Sequence, residues 1–499
     1  VPRTLSSFVF VVILVACGPK SGPDGPRSDV GAHAALRWVP ADATYVFATT
    51  RADAGAAVLR DLAEALGIVG GFDVAEAEAE LASQLAGVSP LSIDSLVEAG
   101  IDRAGGAAAF SQGLSTTLVV KLADPAAMQV KIDAARERLG GQAIGVAMHD
   151  GVEIFTMMGD RDVHTHWAIA DGWIWVHWEF TAEKEADGAW FVASRKAGGA
   201  IAATPDFGWA RQQAERALPG SPVIGLVRGK ALVQRVAALA HDPDARACAN
   251  LVPTDRVALG MTGGGDVAEG VLVVDTVGGG GALADATLAV PVGWGATRGQ
   301  PAMAAEWNID LTHIARWLGP CRDLASLAND ALHQMRARGG RAFVHQLADD
   351  GLGGHGVVAV DLVDRSMIDR MLDFPGRGLL EKKQRFGALD GAHVSVPFVN
   401  IEVDYIVTKD RAFAAMGDGL LAKVVGDGSR VPGSLAAIEV RPRAISPTAW
   451  HVVLEQGLGF SRDTLRQKTI ERLQRWARGL VELTRDGDLV TVRARGERK

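Results

Sequence analysis

The sequence predicts an α+β protein made of two diverged repeats, about 37–292 and 300–499, each combining strand-helix units with antiparallel β-meanders packed on helices. Three observations carry that prediction. The segment Thr117-Leu118-Val119-Val120-Lys121-Leu122-Ala123-Asp124-Pro125 reads as a strand entering a helix, with Asp124 as N-cap and Pro125 at the first helical position. Val357-Val358-Ala359-Val360-Asp361-Leu362-Val363-Asp364 repeats it. Downstream at the same offset, Asp150-Gly151 and Asp390-Gly391 each precede an alternating segment, the strongest short signal for a β-hairpin.

Taken in order, the chain opens with Arg3 ahead of an apolar run at 8–16 that ends in Leu14-Val15-Ala16-Cys17. A helix needs about 20 apolar residues to cross a bilayer, so this run has the length of a signal-peptide core instead. The motif resembles the lipobox of bacterial lipoproteins. That resemblance implies that residues 1–17 are a lipoprotein signal, that Cys17 is diacylated, and that the chain meets the membrane through an N-terminal lipid anchor. Residues 18–36 begin Gly18-Pro19-Lys20-Ser21-Gly22-Pro23 and form a Gly/Pro/Ser-rich tether, with a root-mean-square reach of roughly 20 to 25 Å. By the sorting pattern of such lipoproteins, Gly18 after the cysteine implies the outer membrane of the cell envelope, with a soluble body in the periplasm or at the cell surface.

Beyond the tether, Val39-Pro40-Ala41-Asp42, Leu218-Pro219-Gly220-Ser221 and Val431-Pro432-Gly433-Ser434 punctuate the two halves. The first two lead into Tyr45-Val46-Phe47-Ala48 and Val223-Ile224-Gly225-Leu226. The acidic run at 75–80 reads as an exposed helix. Apolar strands at 257–261 and 270–274 flank a Gly-rich turn, and strands at 480–483 and 489–492 flank Asp486-Gly487 in the same way. A basic amphipathic helix is expected at about 461–478. Pro40-Ala41-Asp42 ahead of Tyr45-Val46-Phe47 resembles the opening of a family of exported bacterial proteins of uncharacterised function; the resemblance extends over most of the mature chain and brings no activity with it.

Composition narrows the function. A net charge of −8 argues against nucleic acid as a partner. With Cys17 acylated, Cys248 and Cys321 remain as an even pair in an oxidising space. They read as a disulfide closing a loop of about 70 residues, a contribution of about 4 kcal/mol in the chain-entropy model, or as two separate buried thiols.

One segment carries the residue types of a site. If Asp171-Gly172 is a two-residue turn, His166 opposes His177 and His164 opposes Glu179, so one sheet face presents His164, His166, Trp173, Trp175, His177 and Glu179. The other face, with Trp167, Ile169, Ile174, Val176 and Trp178, is the natural core. Three imidazoles and a carboxylate suit zinc. Trp173 and Trp175 suit the floor of a site for a flat ligand. A polar face half covered by a helix, its histidines hydrogen-bonded, needs neither.

No Gly-x-Ser-x-Gly elbow, His-Glu-x-x-His helix or phosphate-binding loop is present in the sequence. Three classes follow. The leading one is a noncatalytic envelope lipoprotein that binds an envelope protein or a small ligand between its repeats. The others are a metal-dependent hydrolase or metal binder on the histidine face, and a lipid carrier or chaperone with an apolar groove.

Overall fold

The computed structural model describes residues 33–70, 73–139, 144–158, 163–180, 188–239, 255–276, 301–310, 337–349, 354–362, 364–373, 380–396, 401–417, 419–421, 434–457 and 462–498. Cys17, Cys248 and Cys321 lie outside them, and so do the expected anchor, the expected disulfide and the expected repeat boundary. The chain divides into two compact units, one of residues up to 242 with 252–276, the other principally of 277–492.

Among the described residues of the first unit, ten strands form one antiparallel sheet. They are β1 (Tyr45–Thr49), β2 (Ala107–Ser111), β3 (Thr116–Lys121), β4 (Ile144–His149), β5 (Val152–Met158), β6 (Val163–Ala170), β7 (Trp173–Phe180), β8 (Val223–Val227), β9 (Arg256–Thr262) and β10 (Val267–Asp275). Their spatial order is β4-β5-β6-β7-β3-β2-β1-β8-β9-β10. Two hairpins turn where the sequence says: Asp150 and Gly151 have φ of 49° and 77°, Asp171 and Gly172 51° and 73°. Positive φ at both central residues gives a turn whose twist matches the strands, and Asp-Gly tolerates it best.

Apolar residues on both sheet faces require two covering layers. Over one face lie α1 (Ala52–Gly70), α3 (Ile93–Glu98) and α4 (Pro125–Leu139), whose Ala52, Met128 and Ile132 pack with Trp167, Ile174 and Val176 of the sheet. Asp124 caps α4 as expected, its Oδ1 accepting from the Ala126 and Ala127 amides at 3.0 and 3.2 Å, worth about 1 kcal/mol. The acidic run falls in α2 (Val74–Gln84), with Glu76 and Glu80 exposed. Over the opposite face lie a 3-10 turn (Ala34–Trp38), α5 (Ala189–Lys196) and α6 (Pro205–Ala217), which runs along β8 and β9 and buries Phe207, Ala210 and Ala214. Helix α7 (Gly229–Leu239) follows β8.

The described residues of the second unit also form ten strands: β11 (Met303–Trp307), β12 (Ala337–Leu347), β13 (Gly354–Leu362), β14 (Glu381–Phe386), β15 (Leu389–Val396), β16 (Ile401–Val407), β17 (Arg411–Met416), β18 (Ser434–Val440), β19 (Trp476–Asp486) and β20 (Leu489–Arg498). They run β14-β15-β16-β17-β13-β12-β11-β18-β19-β20. With each unit's strands counted from its own first strand, both sheets read 4-5-6-7-3-2-1-8-9-10. The strand-to-helix step matches too, since β13 leads into α8 (Ser366–Leu372) with Asp364 Oδ1 accepting from the Ser366 amide at 2.9 Å. Helices α9 (Pro447–Val452) and α10 (Asp463–Leu473) stand between β18 and β19.

Two expectations are corrected here. Asp390-Gly391 is not a turn: it sits inside β15 opposite Arg385 and Gln384, and Gly387, at φ 60°, makes the bend. A Cβ on Gly391 would lie 2.4 Å from the Tyr405 carbonyl oxygen, so this glycine serves close strand packing instead. The basic helix ends at Leu473, and Trp476, Arg478 and Leu480 belong to β19. There Leu480 pairs with Glu439, and Arg478 donates to Glu439 at 2.9 Å, interactions with a strand remote in sequence.

Candidate functional site

The β6–β7 hairpin has the predicted register, with His164 opposite Glu179 and His166 opposite His177. Its faces divide as read, Trp167, Ile174 and Val176 going to the core under α1 and α4. The four polar side chains lie side by side, with a direct hydrogen bond from His166 to Glu179 and threonines on two of the rings. His166 Nε2 lies 3.0 Å from Glu179 Oε2 and its Nδ1 2.8 Å from Thr156 Oγ1, so a neutral ring donates to the carboxylate and accepts from the hydroxyl. His177 Nδ1 lies 2.8 Å from Thr117 Oγ1, and His164 Nδ1 stands 3.8 Å from the same Glu179 oxygen. Burial holds His166 below the ordinary imidazole range, against the hydrogen bond to Glu179, which acts to raise it.

What covers this face was not visible in the sequence. Trp190 of α5 lies flat on His177, with ring centroids 4.5 Å apart and planes 5° from parallel. His166 and His177 are therefore held by threonines and packed against Trp190 of α5, and among the described residues no three His, Cys, Asp or Glu side chains are disposed to hold a metal ion. The two tryptophans expected as a floor are covered by other rings. Trp175 is fully buried and Trp173 is 4% exposed. Trp38 packs edge-on against both, and Phe191 covers Trp175 at 5.3 Å. Trp175 Nε1 donates to Ser194 Oγ at 3.0 Å, and that hydroxyl donates to the Trp38 carbonyl at 2.7 Å. Rings of this size gain more by burial than a sheet face can leave exposed.

The space that a ligand can enter is on the other side of the same strands. Between the sheet and α1, α3 and α4 lies a cavity of about 190 Å³. It exists because small residues face each other across two layers: Ala107 and Ala109 on β2 look toward Ala52, Gly55 and Ala56 on α1. Larger side chains close its sides, Phe47 and Trp167 from the sheet and Met128 and Ile132 from α4. The one hydroxyl on its wall, Thr49 Oγ1, already donates to the Arg51 carbonyl at 2.8 Å. Such a lining is dry and hydrophobic; an apolar cavity of about 150 Å³ is enough to bind benzene. The cavity opens beside Leu59, which lines it and is 40% exposed. Sequence reading named a lipid-type groove as a class without residues for it. The signal was present in the Ala/Gly runs at 52–57 and 104–109, but nothing in a single sequence says that they face each other.

The first unit thus defines an antiparallel sheet between two helical layers with one apolar cavity site. No family model matches the chain, and no curated protein matches it. Solved structures that match include crystal forms I, IV and III of TP0453, at 10%, 11% and 11% identity. They cover 51%, 50% and 52% of this chain and 80%, 81% and 81% of that one, with TM-scores of 0.28, 0.28 and 0.27. Superposition at that level carries no argument about function.

Proposed function

We propose that this chain is a noncatalytic, membrane-anchored envelope lipoprotein whose first unit binds a hydrocarbon chain. The single observation that carries the binding reading is the cavity between α1 and β2, walled almost wholly by apolar groups and reachable beside Leu59. A site whose one hydroxyl is already committed to the backbone selects by shape and hydrophobicity, which suits an alkyl chain. Anchoring rests on Leu14-Val15-Ala16-Cys17 and the tether that follows. The matching strand orders support a duplicated scaffold. No helix among the described residues is long and apolar enough to cross a membrane.

The test is titration of delipidated protein with N-phenyl-1-naphthylamine, a neutral apolar fluorophore, together with native mass spectrometry of protein purified without delipidation. The expected result is saturable one-to-one fluorescence and a co-purified hydrocarbon. Unsaturable fluorescence with no bound mass would overturn the reading.

A further inference from the structure

Two cationic side chains stand at the lip of the cavity, where a ligand head would rest. Residues 85–91 form that lip: Ala86, Val88 and Pro90 line the cavity. Two guanidinium groups flank it. Arg60, next to Leu59 on α1, donates through Nε to the Leu91 carbonyl at 3.0 Å, with Nη2 on the same oxygen. Nη1 makes no part of that contact. At the other end Gly87 has φ 86°, and a Cβ built on it would lie 3.6 Å from Arg138 Nη2, so the Arg138 guanidinium lies along bare backbone. Arg138 is exposed and has no carboxylate partner among the described residues. The carboxylate that does reach this segment, Glu78, accepts from the Ser89 hydroxyl.

We infer that the occupant is a single-chain anionic amphiphile, its alkyl chain in the cavity and its carboxylate or phosphate head at Arg60 and Arg138. This rests on the binding reading above and adds the head group to it. A guanidinium matches both oxyanions through paired N–H donors, and an alkyl alcohol leaves that pairing unmade. Because both arginines are solvent-accessible, the gain is modest, about fivefold in affinity for an anion over a neutral head.

The experiment displaces N-phenyl-1-naphthylamine from the full chain at pH 8 with dodecanoate, dodecyl phosphate and 1-dodecanol, each below its micelle concentration. The inference expects the anions to compete at about fivefold lower concentration than the alcohol. Arg60→Gln with Arg138→Gln removes the difference and leaves the fluorophore affinity unchanged. Arg138→Gln alone, which breaks no side-chain hydrogen bond among the described residues, shows part of the same loss. A preference for dodecanoate alone or dodecyl phosphate alone identifies which head the lip accepts. Equal competition by acid and alcohol, or an anion preference that survives both substitutions, overturns the inference while leaving the cavity reading intact. Failure of the fluorophore to bind overturns both.

Discussion

Ala109→Ile is the sharpest perturbation of the cavity. Ala109 stands at the middle of β2, paired with Phe47 on one side and Leu118 on the other, and faces the space under α1. Isoleucine adds three carbons and keeps the strand's preference for β-branching. At about 0.8 kcal/mol per buried methylene the added carbons contribute roughly 2.4 kcal/mol, from which about 0.5–1 kcal/mol of side-chain entropy is lost. The ligand-free protein is therefore stabilised by about 1.5 kcal/mol, which raises the midpoint of thermal unfolding by about 3 to 6 °C for a unit of this size. The same carbons occupy the ligand's space, so fluorophore affinity falls by tenfold or more, about 1.4 kcal/mol. Urea unfolding followed by tryptophan fluorescence and a parallel fluorophore titration read the two effects together. A variant destabilised by more than about 1 kcal/mol with undiminished binding would refute the reasoning, because it would mean that the space at Ala109 is already filled and that the ligand sits elsewhere.

Three further outcomes are expected. Burial, helped by Arg211, pushes the pKa of His33 down to about 4, so the unfolded chain binds its proton first as pH falls; stability is full above about pH 6.5 and is lost toward pH 4, by about 2 kcal/mol at pH 5. His33→Leu flattens that part of the curve of unfolding free energy against pH, and an unchanged curve contradicts the assignment. Ser194→Ala leaves Trp175 Nε1 and the Trp38 carbonyl without the hydroxyl that bridges them, and costs about 1–3 kcal/mol in urea unfolding; a cost below 0.5 kcal/mol would place water in the gap. Cys17→Ser moves the protein from the membrane fraction to the soluble fraction after cell lysis, and retention in the membrane would remove the anchor from the proposal.

The legible part of this molecule is local. Asp171-Gly172 allowed the pairing of His166 with His177 to be read residue by residue, because a two-residue turn leaves one register open and alternation then assigns every side chain to a face. The same dipeptide misled at Asp390-Gly391, where a glycine needed for close approach to Tyr405 imitated a turn. What lies over the histidines was illegible: Trp190 reaches His177 from a helix whose own sequence does not say which strand it crosses. The cavity was illegible for a related reason. Ala107 and Ala109 meet Gly55 and Ala56 only after β1 brings the two segments together, and a void is a property of both walls.

The place of β1 has a consequence for how the chain acquires its fold. Its two neighbours are β2, the next strand in the chain, and β8, which pairs Tyr45 with Val227 and Thr49 with Val223. A chain emerging N-terminus first therefore carries a half-paired central strand, with one edge bare, until residues 223–227 arrive. Such an edge invites pairing with other chains, and distant pairing of this kind is slow to form. The second unit repeats the problem, since β11 waits for β18. Neither sheet can close early, which makes any truncation between β2 and β8 a source of aggregates.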